Sequence, residues 1–247
     1  MKAASLRTIN KLSSSAARTD FLAGTVPLHQ AYILLHGRDS PRSFPSRVTS
    51  PLLVALRQYA LRWSALVNVA WVPPLLTFAH GRAGLQIPSV TMDNLDEVCS
   101  RLHDYMERPP TGAVDLDDLY LYVCTHGARD CRCGEWGSKV ADALRNEIHW
   151  RKGIEPTGKY SRVVVGEVGH VGGHQYAANM LVFPYGEWLG GLRPDNVPGV
   201  LDVIMEQSSP VDLARTSLLP THWRGRMGLA RDQQLQRFLL HRDNSTV

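Results

Sequence analysis

Leu119-Tyr-Leu-Tyr-Val-Cys124 is a short apolar run that ends on a cysteine, and its length and composition suit a buried strand. Residues 125–133 follow as a loop, Thr-His-Gly-Ala-Arg-Asp-Cys-Arg-Cys. Ser138 is placed to cap a helix whose apolar face is Val140, Leu144 and Ile148. A β-branched strand, Arg162-Val-Val-Val-Gly166, then leads into His170-Val-Gly-Gly-His174. After that come Ala177-Ala-Asn-Met-Leu-Val-Phe183, Pro184 and a Tyr185-Gly186 turn. The order strand, loop, helix, strand, loop predicts an α/β fold in which both loops leave the sheet on chemically useful residues.

Those loops offer two thiolates and two imidazoles, a complete four-ligand set for a metal centre. Eight residues separate Cys124 from Cys133, three separate His170 from His174, and 36 lie between the pairs. A structural zinc site usually has a tight Cys-x2-4-Cys knuckle, and only the histidine half fits that pattern. A two-iron cluster takes ligands from wider loops and accepts two histidines in place of two cysteines, so both zinc and [2Fe-2S] stay open on chemistry alone. A Cys-x6-Cys pair through Cys131 is also physically possible. Gly172 and Gly173 permit backbone conformations closed to other residues and let the chain approach a cofactor. His126, inside the cysteine loop, is placed to support the turn or hydrogen-bond a sulfur.

Upstream, Ala31-Tyr-Ile-Leu-Leu35 reads as a buried strand between Pro27 and Gly37. Pro51 starts a helix carrying Leu52, Leu53, Leu56, Tyr59, Ala60 and Trp63. Leu66 to Val72 is a strand closed by Pro73-Pro74, with a further apolar stretch at Leu75 to Phe78. Met92 to Met106 returns to helical spacing, and Cys99 falls on its apolar face as a small core residue. Pro109-Pro110-Thr-Gly112 marks the domain boundary. Pro198 opens a helical carboxy-terminal stretch whose end, from His222 to Arg242, interleaves basic residues with Trp223, Leu235, Phe238 and Leu239. The expected organisation is a leader over 1–19, an α/β unit over 20–110, a second over 115–197 and a helical extension over 198–247.

The net charge of +4 resides in the leader. Lys2, Arg7, Lys11 and Arg18 account for four of 27 basic residues, which leaves 23 against 23 acidic ones over residues 20–247. A basic pI would otherwise point to nucleic acid; a formally neutral body does not. Acid-free and rich in serine, residues 1–19 have the composition of a mitochondrial transit peptide, the alternative being a disordered tail on a cytoplasmic protein. No apolar stretch of about 18 or more residues is present to span a membrane. Three of the four cysteines lie within ten residues, which reads as a metal or redox cluster in a reducing compartment rather than a disulfide framework. Phosphate-cradling loops, a dinucleotide fingerprint, a serine nucleophile elbow and paired hydrolytic carboxylates are not found.

Val123-Cys-Thr-His-Gly-Ala-Arg-Asp130, Cys133-Gly134, Gly169-His-Val-Gly-Gly-His-Gln-Tyr-Ala-Ala-Asn179 and Phe183-Pro-Tyr-Gly-Glu-Trp188 resemble the sucrase/ferredoxin-like family. Phe21-Leu-Ala-Gly-Thr-Val-Pro27, Phe44-Pro-Ser-Arg47 and Trp223-Arg-Gly-Arg-Met-Gly-Leu229 extend the resemblance over nearly the whole chain after residue 20. It implies a thioredoxin-like ferredoxin in the second half, holding a [2Fe-2S] cluster on Cys124, Cys133, His170 and His174. The family's eight-residue spacing selects Cys133 and leaves Cys131 as a spare thiol able to exchange or oxidise. The expected function is electron transfer with redox donor and acceptor proteins the residues do not identify, rather than hydrolysis. From other classes, the alternatives are a metal-free thiol oxidoreductase using Cys124, Cys131 and Cys133, and a zinc-stabilised interaction module.

Overall fold

The structure is a computed structural model that describes residues 22–72, 77–80, 84–108, 118–206 and 217–244. The leader at 1–19 and the boundary at Pro109 to Gly112 lie outside the described residues.

Strand β1 (Ala31–His36) is followed by helix α1 (Pro51–Leu61), strands β2 (Ala65–Trp71), β3 (Thr77–His80) and β4 (Leu85–Ile87), and helix α2 (Leu95–Glu107). α1 begins as its sequence dictates: Pro51 occupies the first turn, and Ser50 Oγ accepts the Leu53 amide at 3.1 Å. The second half runs β5 (Leu119–Cys124), α3 (Ser138–Ile154), β6 (Val163–Val168), β7 (Met180–Phe183), β8 (Glu187–Leu189) and α4 (Val197–Glu206). Strand β9 (Trp223–Arg226) and helix α5 (Arg231–Asn244) complete the described chain.

All nine strands form one sheet in the order β4-β3-β1-β2-β6-β5-β7-β8-β9. β1 pairs parallel with β2 and antiparallel with β3; β5 pairs parallel with β6 and antiparallel with β7. Each half is therefore a β-α-β-β-β-α unit whose second strand lies at the edge that faces the other half. The two halves meet edge to edge where β2 runs antiparallel to β6, pairing Ala70 with Val168 and Trp71 with Glu167.

Side-chain alternation splits the core into layers. Ala31 and Ile33 of β1 pack with Leu56, Leu95 and Leu102 of the first pair of helices, and Leu119, Leu121 and Val123 of β5 pack with Val140, Leu144 and Leu201 of the second pair. The opposite faces share a third layer. The sheet curls so that Tyr32 of β1 reaches Phe183 and Trp188, with ring centroids 5.9 Å apart in each case. Tyr122 and Leu34 are fully buried in the same layer. Each such buried side chain contributes about 2–3 kcal/mol, so this layer ties the halves together.

One local expectation is corrected. Ser138 does not cap α3; it is already helical, with φ −62° and ψ −45°. The helix starts earlier, where the carbonyl of Asp130 accepts the Cys133 amide at 3.1 Å and its carboxylate accepts the Arg132 amide at 3.0 Å. Asp130 is thus the N-terminal cap, and a π-helical turn at Cys133–Gly137 joins this first turn to α3.

Candidate metal centre

Cys124 ends β5, and His170 follows the end of the adjacent parallel strand β6 by two residues. Ligands at the carboxyl ends of neighbouring parallel strands are delivered to one crevice. Cys133 comes to the same point from the π-helical turn. Glycine makes that approach possible: a Cβ at Gly137 would lie 2.0 Å from the carbonyl oxygen of Cys124, and one at Gly134 would lie 2.7 Å from Gly127 Cα. The sulfurs of Cys124 and Cys133 and a ring nitrogen of His170 all lie within 4.8 Å of one another. Cys133 Sγ is 3.7 Å from His170 Nδ1. Both cysteines are buried, while His170 is half-buried.

A proton shared between the sulfurs sets their electrostatics. The bond from Cys133 holds the Cys124 thiol well below its ordinary value against the opposing effect of burial, with His170 assisting. The same bond, followed by burial, pushes Cys133 well above it. The pair thus carries one negative charge readily, and a metal ion displacing the proton would meet two thiolates.

His174 stands outside this trio. Its ring centroid is 5.7 Å from that of His170, nearly half of its side chain is exposed, and its Nδ1 lies 3.6 Å from the Asp130 carboxylate. Arg132 holds that carboxyl down to about 2 by hydrogen bonding. The turn between the histidines depends on left-handed glycines, Gly172 at φ 82° and Gly173 at φ 66°. His126 supports the backbone: its Nδ1 accepts the His170 amide at 3.4 Å and its Nε2 lies 2.8 Å from the carbonyl of Pro45. Cys131 is exposed in the first helical turn and does not join the trio.

Sequence reasoning missed two residues. Arg224 of β9 is 2% exposed, yet no carboxylate pairs with it among the described residues. Its Nη1 donates to the Gly172 carbonyl at 3.1 Å and to Asn179 Oδ1 at 2.9 Å; its Nε donates to Thr25 Oγ1 at 3.1 Å. A Cβ at Gly173 would lie 2.3 Å from its Nη2. Burial pushes the guanidinium down to about 10, opposed by Tyr176, Cys124 and Cys133. An unpaired buried cation is costly; the guanidinium lies over the rings of Tyr176 and Trp188, 5.2 and 5.6 Å from their centroids, and a thiolate at Cys124 or Cys133 would offset its charge further. Glu167, 1% exposed on β6, is the other: it accepts from Ser40 at 2.6 Å, Arg145 at 2.7 Å and Thr125 at 2.9 Å, and pairs with Arg42 at 2.9 Å. It thereby fixes the residue that follows Cys124. The signals were present, a glutamate interrupting a valine strand and an arginine inside Trp-Arg-Gly-Arg, but neither spacing reveals burial. The donor set fits a thiolate-bound metal or iron-sulfur group: convergent soft ligands, an imidazole, and a matching buried cation.

Comparison with known proteins places this geometry. The pattern of the sucrase/ferredoxin-like family matches residues 42–225. The chain belongs to the sucrase/ferredoxin-like family. Among family relatives, altered inheritance of mitochondria protein 32 of Meyerozyma guilliermondii is 36% identical over 96 residues, covering 38% of this chain and 32% of that one. Actin patches distal protein 1 of Saccharomyces cerevisiae is 31% identical over 125 residues, covering 48% and 39%. The aligned parts thus span only about a third of the length of these relatives. Among solved structures, a thioredoxin-like [2Fe-2S] ferredoxin from Aquifex aeolicus is similar over 44% of this chain and 92% of its own, at 15% identity and a TM-score of 0.30. No helix among the described residues is long and apolar enough to cross a membrane.

Proposed function

We propose that Cys124, Cys133, His170 and His174 hold a [2Fe-2S] cluster and that the protein carries single electrons. The observation that supports this most is the convergence of two buried sulfurs and an imidazole within 4.8 Å at the ends of two parallel strands. When bound, such a cluster supplies one-electron chemistry whose potential is set by ligand type, hydrogen bonding and burial. The residues of the chain supply the setting. Cys124 and Cys133 give the charge, Arg224 offsets it, and His126 fixes the backbone of His170. Imidazole in place of thiolate raises the potential, because a neutral ligand replaces an anion. His174, outside the trio at the end of the Gly172-Gly173 turn, is the fourth ligand of the proposal.

A mononuclear zinc site is the second reading, favoured by the compactness of the trio and by the position of His174 outside it. One preparation separates the two: anaerobically purified protein that is red-brown, with iron and sulfide in equal amounts, supports the cluster. A colourless, zinc-loaded preparation overturns it.

We further propose a mitochondrial location, supported by the acid-free basic residues 1–19 and by the names of the relatives. A reporter fused behind residues 1–19 tests it, and cytosolic retention removes it. Residues 20–110, 115–197 and 198–247 are proposed as its units.

A further inference from the structure

Next to His170 the surface opens into a cleft of about 370 Å³. Three guanidiniums line it, Arg47 from the loop after β1, Arg57 from α1 and Arg129 from the cysteine loop, and no aspartate or glutamate does. None of the three makes an ion pair among the described residues. Their neighbours behave differently: Arg42 pairs with Asp142 and Glu167, Arg145 with the same two acids, and Arg132 with Asp130. The body of the chain has as many acids as bases, so three unpaired like charges around one concavity mark a place where the compensating anion comes from outside.

From this, we propose that the cleft binds a small phosphorylated organic molecule beside the metal centre. Three separate segments contribute the guanidiniums, which surround a hollow of small-ligand size instead of spreading over a flat docking face. Three positive charges call for a multiply charged anion. A phosphate monoester carries nearly two charges near neutral pH where a carboxylate carries one, and the guanidinium fork matches its oxygens. Phe44, Val48 and Val69 give the cleft an apolar wall for an organic body. Because His170 and Gly169 also line the cleft, the bound anion lies against one of the proposed ligands. The functional meaning of the site therefore rests on the metal reading, although binding itself does not.

Calorimetric titration of the purified full chain with phenyl phosphate, inorganic phosphate and a short polyglutamate peptide tests this, with metal content and visible spectrum recorded on the same sample. Phenyl phosphate is expected to bind saturably and more tightly than inorganic phosphate, because only it uses the apolar wall. Arg47→Gln, Arg57→Gln and Arg129→Gln are each expected to weaken it about fivefold, given the modest worth of an exposed charged hydrogen bond. Combined, they weaken it more than tenfold, whereas Arg101→Gln on α2 leaves it unchanged. The side chains are exposed, so the variants fold, and circular dichroism checks that they do. Absence of binding by either phosphate, equal affinity in the triple variant, or binding of polyglutamate alone overturns the proposal. A colourless sample that still binds phenyl phosphate through these arginines sinks the metal reading and sustains the cleft. A red-brown sample that binds neither phosphate does the reverse.

Discussion

Replacing Arg224 by methionine removes a buried cation while keeping much of its packing volume. In the folded chain its guanidinium makes hydrogen bonds of 3.1 Å to Gly172, 2.9 Å to Asn179 and 3.1 Å to Thr25, and none of these partners is charged. A thiolate-bound group on Cys124 and Cys133, as proposed, would be its electrostatic counterpart. Under the proposed function, reduction would add a negative charge to the group those sulfurs hold, so a nearby cation would favour the reduced state and removing it would lower the potential. At an effective dielectric of about 20 a unit charge about 8–16 Å away contributes about 1–2 kcal/mol, which corresponds to about 45–90 mV for one electron. Protein-film voltammetry at low and high salt is the assay. Methionine is expected to lower the potential by that amount at both salt concentrations, because buried charges are screened little. Lysine retains the charge but not the planar fork, and should recover most of the potential while losing part of the hydrogen bonding. Merely structural packing would make the two variants alike. Equal potentials in Arg224→Met and wild type, at equal iron content, would refute the assignment of Arg224 as a positioning charge.

Cys124→Ser and Cys133→Ser are expected to abolish metal uptake, while Cys131→Ser, an exposed position outside the trio, retains most of it; equal iron loss in all three, by elemental analysis, contradicts the site. Glu167→Gln is expected to cost about 1–3 kcal/mol in urea denaturation, because it removes the carboxylate that buried Thr125 and the partly exposed Arg42 and Arg145 share. Burial alone would push the Glu167 carboxyl up, but its bonds to Ser40, Arg42, Arg145 and Thr125 hold it below the ordinary 4.5. Its stability contribution is therefore complete above pH 4.5 and is lost as pH falls through the lower folded value; an acid-side decline undiminished in the glutamine variant assigns that decline elsewhere. Phe183→Ala is expected to cost about 3–5 kcal/mol and to leave a single calorimetric transition, because its layer joins both halves; two separated transitions would show that the halves melt independently.

Strand residues carried the fold into the sequence better than loops did. Leu119-Tyr-Leu-Tyr-Val-Cys124 and the valine run before His170 are buried strands because their β-branched and aromatic side chains have no other stable place. Thiols and imidazoles at such spacings pointed to these two loops, and the family resemblance selected Cys133 over Cys131; the fold brings Cys124, Cys133 and His170 within 4.8 Å and leaves His174 outside. The expected cap at Ser138 failed for a physical reason: Asp130 is an equally good cap eight residues earlier, and Gly137 lets the helix continue past the end of β5 where a side chain could not. Arg224 and Glu167 were hidden for a more general one. A charged residue in a sequence reads as solvated, and only the closure of the sheet shows that one lies beside the sulfurs and the other beneath the end of β5. Glu167 interrupts a valine-rich strand and Arg224 is buried in Trp223-Arg-Gly-Arg226, each at a cost that packing alone does not offset. In the Glu167 network the compensation is visible as Arg42 and Arg145. At Arg224 the hydrogen-bond partners are neutral and the guanidinium lies over the rings of Tyr176 and Trp188, 5.2 and 5.6 Å from their centroids, so the thiolate-bound group of the proposed function would supply a negative charge near it. A neutral thiol pair would leave that cation only neutral and aromatic partners; a thiolate-bound centre would add the opposite charge.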